Sequence, residues 1–218
     1  MMSTTLRRLT ATLGLLAGMA ATAGAEAAPR PDGPVLAPES LRYCAVCHGV
    51  ELMGNFAVDA PKLAGLPAWY VTRQLEAFRN GWRGAHADDA TGMEMRPQAA
   101  VLEPDQLQAA VRYVESVPAR HVPVTVSGDL KRGQAQYQAC AVCHGAAAEG
   151  NAALNAPPLA GQSDWYLRRQ LEHFRSGARG ANPGDTQGAL MRASVTTLAD
   201  DQAIDDVVAY ITSLQQPH

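Results

Sequence analysis

The sequence predicts an all-α chain made of two tandem copies of one small helical domain, and three observations predict it. Cys44 and Cys140 stand 96 residues apart, and the segments that follow them match at that offset without a gap for more than fifty positions. Apolar residues recur at helical spacing within each copy, and no stretch of any length alternates apolar and polar residues as a half-buried strand would. A period of this length is too great for a solenoid, whose units run to roughly 20–50 residues, so it marks whole domains.

The chain of 218 residues opens with Arg7 and Arg8, then an apolar run from Leu9 to Ala23 that ends among small residues at Ala23, Gly24 and Ala25. That order reads as a secretory signal peptide over 1–25, and the expected location is the periplasm. Gly14, Gly18 and Thr22 interrupt the run, which falls short of the roughly 20 apolar residues a span needs. No later segment resembles a span, so no integral membrane span is expected in the mature chain. Removing 1–25 leaves 16 Lys+Arg against 21 Asp+Glu, a formal charge of −5. With no basic run or face to neutralise phosphates, nucleic acid is not an expected partner.

The two copies are expected at 26–120 and 121–218, with the junction in Pro118 to Ser127, where Pro118 and Pro123 interrupt any helix. Tyr43 to Gly49 reads YCAVCHG and Ala139 to Gly145 reads ACAVCHG. Ala60 to Gly65 faces Ala156 to Gly161, Trp69 and Tyr70 face Trp165 and Tyr166, and Arg73 to Glu76 faces Arg169 to Glu172. Phe78 faces Phe174, Met95 and Arg96 face Met191 and Arg192, and Tyr113 matches Tyr210 after a one-residue slip. Val71, Leu75 and Phe78 share one helical face, as do Leu167, Leu171 and Phe174, with Gly81 and Gly177 placed to end the helix. A last helix begins near Pro104 or Asp200, and its apolar stripe is clearest in Ile204, Val207, Val208, Ile211 and Leu214. These stripes read as core packing.

All four cysteines lie in the two Cys-x-x-Cys-His motifs: Cys44, Cys47 and His48, and Cys140, Cys143 and His144. Two thiols on one helical turn can add across the vinyl groups of a haem, and the next residue, histidine, is then delivered beneath the iron. A four-ligand zinc site would need a second cysteine pair nearby, yet the other pair is in a different copy. A redox-active dithiol of the thioredoxin kind needs a βαβ setting, which the helical surroundings do not offer. Structural disulfides suit an exported chain, but neighbouring pairs that are each followed by histidine staple little. Two covalently bound haems c are the expected cofactors.

The sixth iron ligand is approached by elimination. Met191 is the one methionine of the second copy and lies 47 residues after His144, the same distance as Met95 from His48. Met93 and Met53 break that register. A lone methionine is usually flexible core filling, but the doubled spacing outweighs this reading. The histidines that could serve instead, His86, His121, His173 and His218, have no aligned partner in the other copy. His/Met ligation is therefore expected at both irons, a pairing that raises the reduction potential. The metal ligands so assigned are His48, Met95, His144 and Met191. An axial histidine normally donates its other ring N–H to a carbonyl or carboxylate, and the segments at Pro61 and Pro157 are candidates. Arg73, Arg96, Arg169 and Arg192, or Trp69 and Trp165, could bind haem propionates, against the alternative of solvated surface groups.

With these motifs in hand, residues 38–214 resemble the cytochrome c4 family. The resemblance implies two tandem class I cytochrome c domains, each wrapped around one covalent haem, with haem edges facing across the domain interface. It also implies a shuttle of single electrons towards a terminal oxidase or reductase. One departure is that only Ala37 to Tyr43 precede Cys44, against Gly128 to Ala139 before Cys140, so the first N-terminal helix is expected to be short.

Three functions compete. The first is an electron carrier rather than an enzyme, with redox proteins such as a membrane oxidase or reductase complex as partners. The second is the electron-accepting subunit of a periplasmic dehydrogenase. A two-haem peroxidase is the third, and it would need an open iron position, which the methionine in register in both copies argues against.

Overall fold

The computed structural model describes residues 38–214, so the predicted signal peptide, residues 1–25, lies outside the described residues. Among the described residues, eight α-helices run as α1 Arg42–His48, α2 Ala68–Arg79, α3 Ala90–Ala100, α4 Pro104–Ser116, α5 Leu130–His144, α6 Asp164–Ser176, α7 Thr186–Ser194 and α8 Asp201–Ser213. Among the described residues there is no strand, only the paired bridges Asn55 with Ala60 and Asn151 with Ala156. The architecture is the predicted all-α fold, repeated.

Each half closes on its own apolar core. In the first, Leu41, Leu52, Val71, Leu75, Phe78 and Val111 are buried together; in the second, Tyr137, Leu167, Ile204, Val207, Val208 and Ile211 are. The stripe read from α8 is thus buried, with Leu214 packed at its edge. Helix ends follow local chemistry. Pro104 opens α4 behind Glu103, whose carboxylate and the Gln106 side chain form a capping box. Asp200 caps α8 by accepting from Ala203 N–H at 2.8 Å. Gly177 ends α6 at φ 86° as predicted, whereas α2 stops one residue earlier than its twin and Asn80, not Gly81, is its cap.

The N-terminal helices differ as expected: α1 has 7 residues and α5 has 15. Helices α3 and α7 have no apolar stripe to announce them, and α3 even contains Pro97. Their starts are fixed by Asp89 and Asp185, which accept from the amides of Gly92 at 2.9 Å and Gly188 at 2.8 Å.

Between α4 and α5, residues 117–129 run without helix along the second half. Asp164, fully buried at the start of α6, accepts from Thr125 Oγ1 at 2.6 Å, Val126 N–H at 2.8 Å and Trp165 N–H at 2.7 Å, and also from Thr125 N–H. Burial pushes this carboxyl up, but the donors around it outweigh burial and hold it below the usual range.

Two candidate haem sites across a pseudo-twofold interface

Both Cys-x-x-Cys-His motifs occupy the last turns of a helix, α1 or α5, which places the cysteines and the histidine within two turns of one another. No disulfide joins the four cysteines; Cys44 and Cys140 are half-buried, Cys47 and Cys143 exposed. His48 and His144 are buried, and the Nδ1 atoms lie 2.7 Å from Pro61 O and 2.8 Å from Pro157 O. These are the acceptors expected from the sequence. With Nδ1–H donating to the carbonyl, Nε2 is left unprotonated as the ligating atom. Burial pushes both imidazoles down, only partly offset by the carbonyls, which favours the neutral ring that a metal accepts.

Each Pro-x-Leu-Ala-Gly loop is tied back to its own motif. Leu63 and Ala64 amides bond Leu52 O at 2.8 and 3.0 Å; Leu159 and Ala160 amides bond Ala148 O at 2.8 and 3.1 Å. The carbonyl that orients each histidine is therefore fixed by backbone, not by a mobile side chain. Met95 packs at the edge of the first core and Met191 is half-buried on α7, whereas Met93 is exposed. Ahead of α3, Gly84 sits at φ +67°, and a Cβ there would fall 2.1 Å from Gly92 O, so the loop carrying the chain to α3 needs glycine.

The two halves meet through residues that correspond at the 96-residue offset. Arg83 donates to Gln74 Oε1 of its own half at 2.8 Å and reaches Tyr166 Oη and Gln170 Oε1 of the other at 3.4 Å. Arg179 donates to Gln170 Oε1 of its own half at 2.6 Å and to Gln74 Oε1 of the other at 2.8 Å. Arg73 reaches Asn155 O at 3.1 Å, and its twin Arg169 pairs with Asp59 at 2.6 Å, where 59 and 155 are again equivalent. An interface in which i meets j and j meets i has the logic of a twofold axis.

Arg83 and Arg179 are 7 % and 6 % exposed, their Nε atoms are buried without a partner, and no carboxylate among the described residues forms an ion pair with either. The Tyr70 phenol, which burial alone would push up, is pulled down by Arg179 and Arg83. Two buried cations side by side are costly without anions. A haem brings two propionates, so these two buried guanidiniums, the two histidines held through Nδ1 and the cysteines beside them fit haem. Of the arginines considered from the sequence, Arg73 and Arg169 bridge the halves, while Arg96 and Arg192 are exposed. Arg83 and Arg179 were missed, although the repeated Gly-x-Arg-Gly at 81–84 and 177–180 signals them. Of the other histidines, His173 lies at this interface, its Nδ1 3.5 Å from Asp89 and without a hydrogen bond, His86 and His121 are exposed, and His218 lies outside the described residues.

Comparison with known proteins agrees with this geometry. The sequence profile of the cytochrome c family matches twice, at residues 40–118 and 130–215. The chain is 32 % identical over 217 residues to a thiosulfate dehydrogenase electron acceptor of Stutzerimonas stutzeri, covering 92 % of this chain and 94 % of that one. It is 30 % identical over 213 residues to cytochrome c4 of Pseudomonas aeruginosa, covering 93 % and 94 %. The structure of cytochrome c4 from Acidithiobacillus ferrooxidans superposes with a TM-score of 0.62 at 28 % identity, covering 78 % of this chain and 98 % of that one. The paired motifs fit two covalent haems c, and the chain belongs to the cytochrome c family, as a two-haem electron carrier of the cytochrome c4 type.

Proposed function

We propose that the chain is an exported periplasmic carrier, with mature halves at 26–120 and 121–218, that takes single electrons from a periplasmic dehydrogenase and delivers them towards a terminal oxidase or reductase. Each haem would be attached through Cys44 and Cys47 or Cys140 and Cys143, and its iron would be held by His48 and Met95 or by His144 and Met191. The haem supplies the one-electron chemistry. The chain's own groups hold it: the prolyl carbonyls orient the histidines, and Arg83 and Arg179 compensate propionate charge. The observation that carries the reading is the pair of equivalent histidines, each buried and each pinned through Nδ1. A methionine 47 residues after each motif histidine supports a carrier over an enzyme, which would need an open iron position.

For the donor, the best supported partner is a thiosulfate dehydrogenase, because a relative matching nearly the whole chain is an electron acceptor of that enzyme. Mixing the oxidised holoprotein with thiosulfate and catalytic amounts of a thiosulfate dehydrogenase should reduce both haems within seconds, followed in the visible spectrum. Reduction no faster than by thiosulfate alone, with dithionite still reducing both haems, would reject this donor and leave the general carrier reading in place.

A further inference from the structure

Lys62 is the one lysine buried in the interface region, 4 % exposed, on the residue that follows the carbonyl pinning His48. Its Nζ donates to Gly161 O at 2.6 Å, on the loop that begins at Pro157 and pins His144, and to Arg120 O at 3.1 Å in the connecting segment. The tie is reciprocal, since Gln162 Nε2 donates to Lys62 O at 3.0 Å. Lys62 therefore belongs to both histidine-supporting loops at once. Its equivalent in the second half is Pro158, so the device is single and off the twofold relation.

No carboxylate pairs with this ammonium among the described residues; the nearby Arg120 side chain is itself engaged with Glu51 at 2.8 Å. Burial pushes the pKa of the ammonium down. Two carbonyl acceptors satisfy the hydrogen bonds but leave the charge uncompensated. A charge held out of water is screened little by salt or solvent.

We propose that Lys62 is an electrostatic tuning residue shared by the two haems, a buried cation between the proximal loops that raises both reduction potentials together. Gain of one electron lowers the charge at an iron by one, from ferric to ferrous, so a fixed cation nearby favours the reduced state. The inference rests on the two-haem carrier reading but not on which protein donates the electron. The geometry gives the cation a place in both loops, so its removal moves both haems, unlike a surface charge near one of them.

The test is an equilibrium redox titration of the holoprotein, read in the visible spectrum with no partner present, so its outcome is independent of the choice of donor. Lys62→Met and Lys62→Gln should each shift the ferrous/ferric equilibrium of both haems about tenfold towards ferric, about 59 mV for a one-electron couple. Lys62→Arg, which keeps the charge, should restore most of that shift. Lys62→Gln retains a donor for Gly161 O and stands in if the methionine variant fails to mature. Unchanged potentials in Lys62→Gln would overturn the proposal and reduce Lys62 to a hydrogen-bonding strap, and a shift confined to one haem would overturn its shared character.

Discussion

Arg83 and Arg179, equivalent residues of the two halves, converge on the same two glutamine side chains, Gln74 and Gln170, from opposite sides of the interface. Each guanidinium also stacks on a phenylalanine of its own half, Arg83 4.3 Å from the Phe78 ring centre and Arg179 4.5 Å from that of Phe174. The halves thus share a buried polar centre that neither could build alone. Loss of one arm should be felt by both halves. Arg179→Met should cost about 3 kcal/mol of holoprotein stability, because partners are stranded in a low-dielectric interface. Arg179→Lys should recover only part, since an ammonium lacks the flat fork that spans two acceptors. Thermal unfolding followed in the visible circular dichroism of the haems checks both variants.

The ligand assignment separates Met95 from its neighbour Met93. Met95→Ala should open one iron and give a carbon monoxide difference spectrum worth one haem per chain, and Met191→Ala should do the same for the other. Met93→Ala, at a position 50 % exposed, should leave both closed. A carbon monoxide response in the Met93 variant, with none in the Met95 variant, would reverse the assignment in the first half.

Asp206 ties the start of α5 to α8. Its carboxylate accepts from Asp129 N–H at 2.7 Å, Arg132 Nε at 2.6 Å and Gln202 Nε2 at 3.0 Å. The hydrogen bond from Arg132 is the leading reason that its pKa is lowered to about 2. A folded pKa below the unfolded one means that the stabilisation is complete above the unfolded value, about 3.9, and is lost as pH falls towards 2. Asp206→Ala should cost about 2 kcal/mol at neutral pH by leaving the Asp129 amide and the guanidinium without their acceptor. Denaturant midpoints of the two proteins should converge as pH falls from 5 to about 2, and a constant gap would show that the carboxylate charge is not what is lost.

Asp164 performs a different task, because its counterpart in the first half is Ala68. It gathers the connecting segment onto the second half through Thr125 and Val126. Asp164→Ala should free this segment, seen as faster amide exchange at Thr125 and Val126, while the haem spectra stay unchanged. Exchange rates equal to those of the parent would show that the segment is held by Val117 and Val122 burial instead.

Much of this organisation is legible in the sequence because it is written twice. The helical faces at Val71, Leu75 and Phe78 and at Leu167, Leu171 and Phe174 have one apolar side and one helix-compatible period, so local pattern and core agree. The histidines and their prolyl carbonyls are legible for a similar reason: the motif and its loop recur together. Helices α3 and α7 are not, since Gly92, Pro97 and Gly188 argue against helix and the capping aspartates do the deciding. Nor does a repeat say which faces of its copies meet. Arg83 and Arg179 carry a duplicated signal, but their burial depends on Tyr166, Gln170 and Gln74 arriving from both halves, a fact of tertiary structure. Lys62 has no twin to reveal it.

The central claim is that each half holds one haem whose iron is closed on both sides. It is tested most directly by the absorption spectrum of the dithionite-reduced protein before and after carbon monoxide, with haem counted per chain by pyridine haemochrome. Two haems and an unchanged spectrum are the predicted result. A carbon monoxide response from either haem of the unmodified protein would contradict the account and expose an open iron, as a ligand-binding or catalytic site requires.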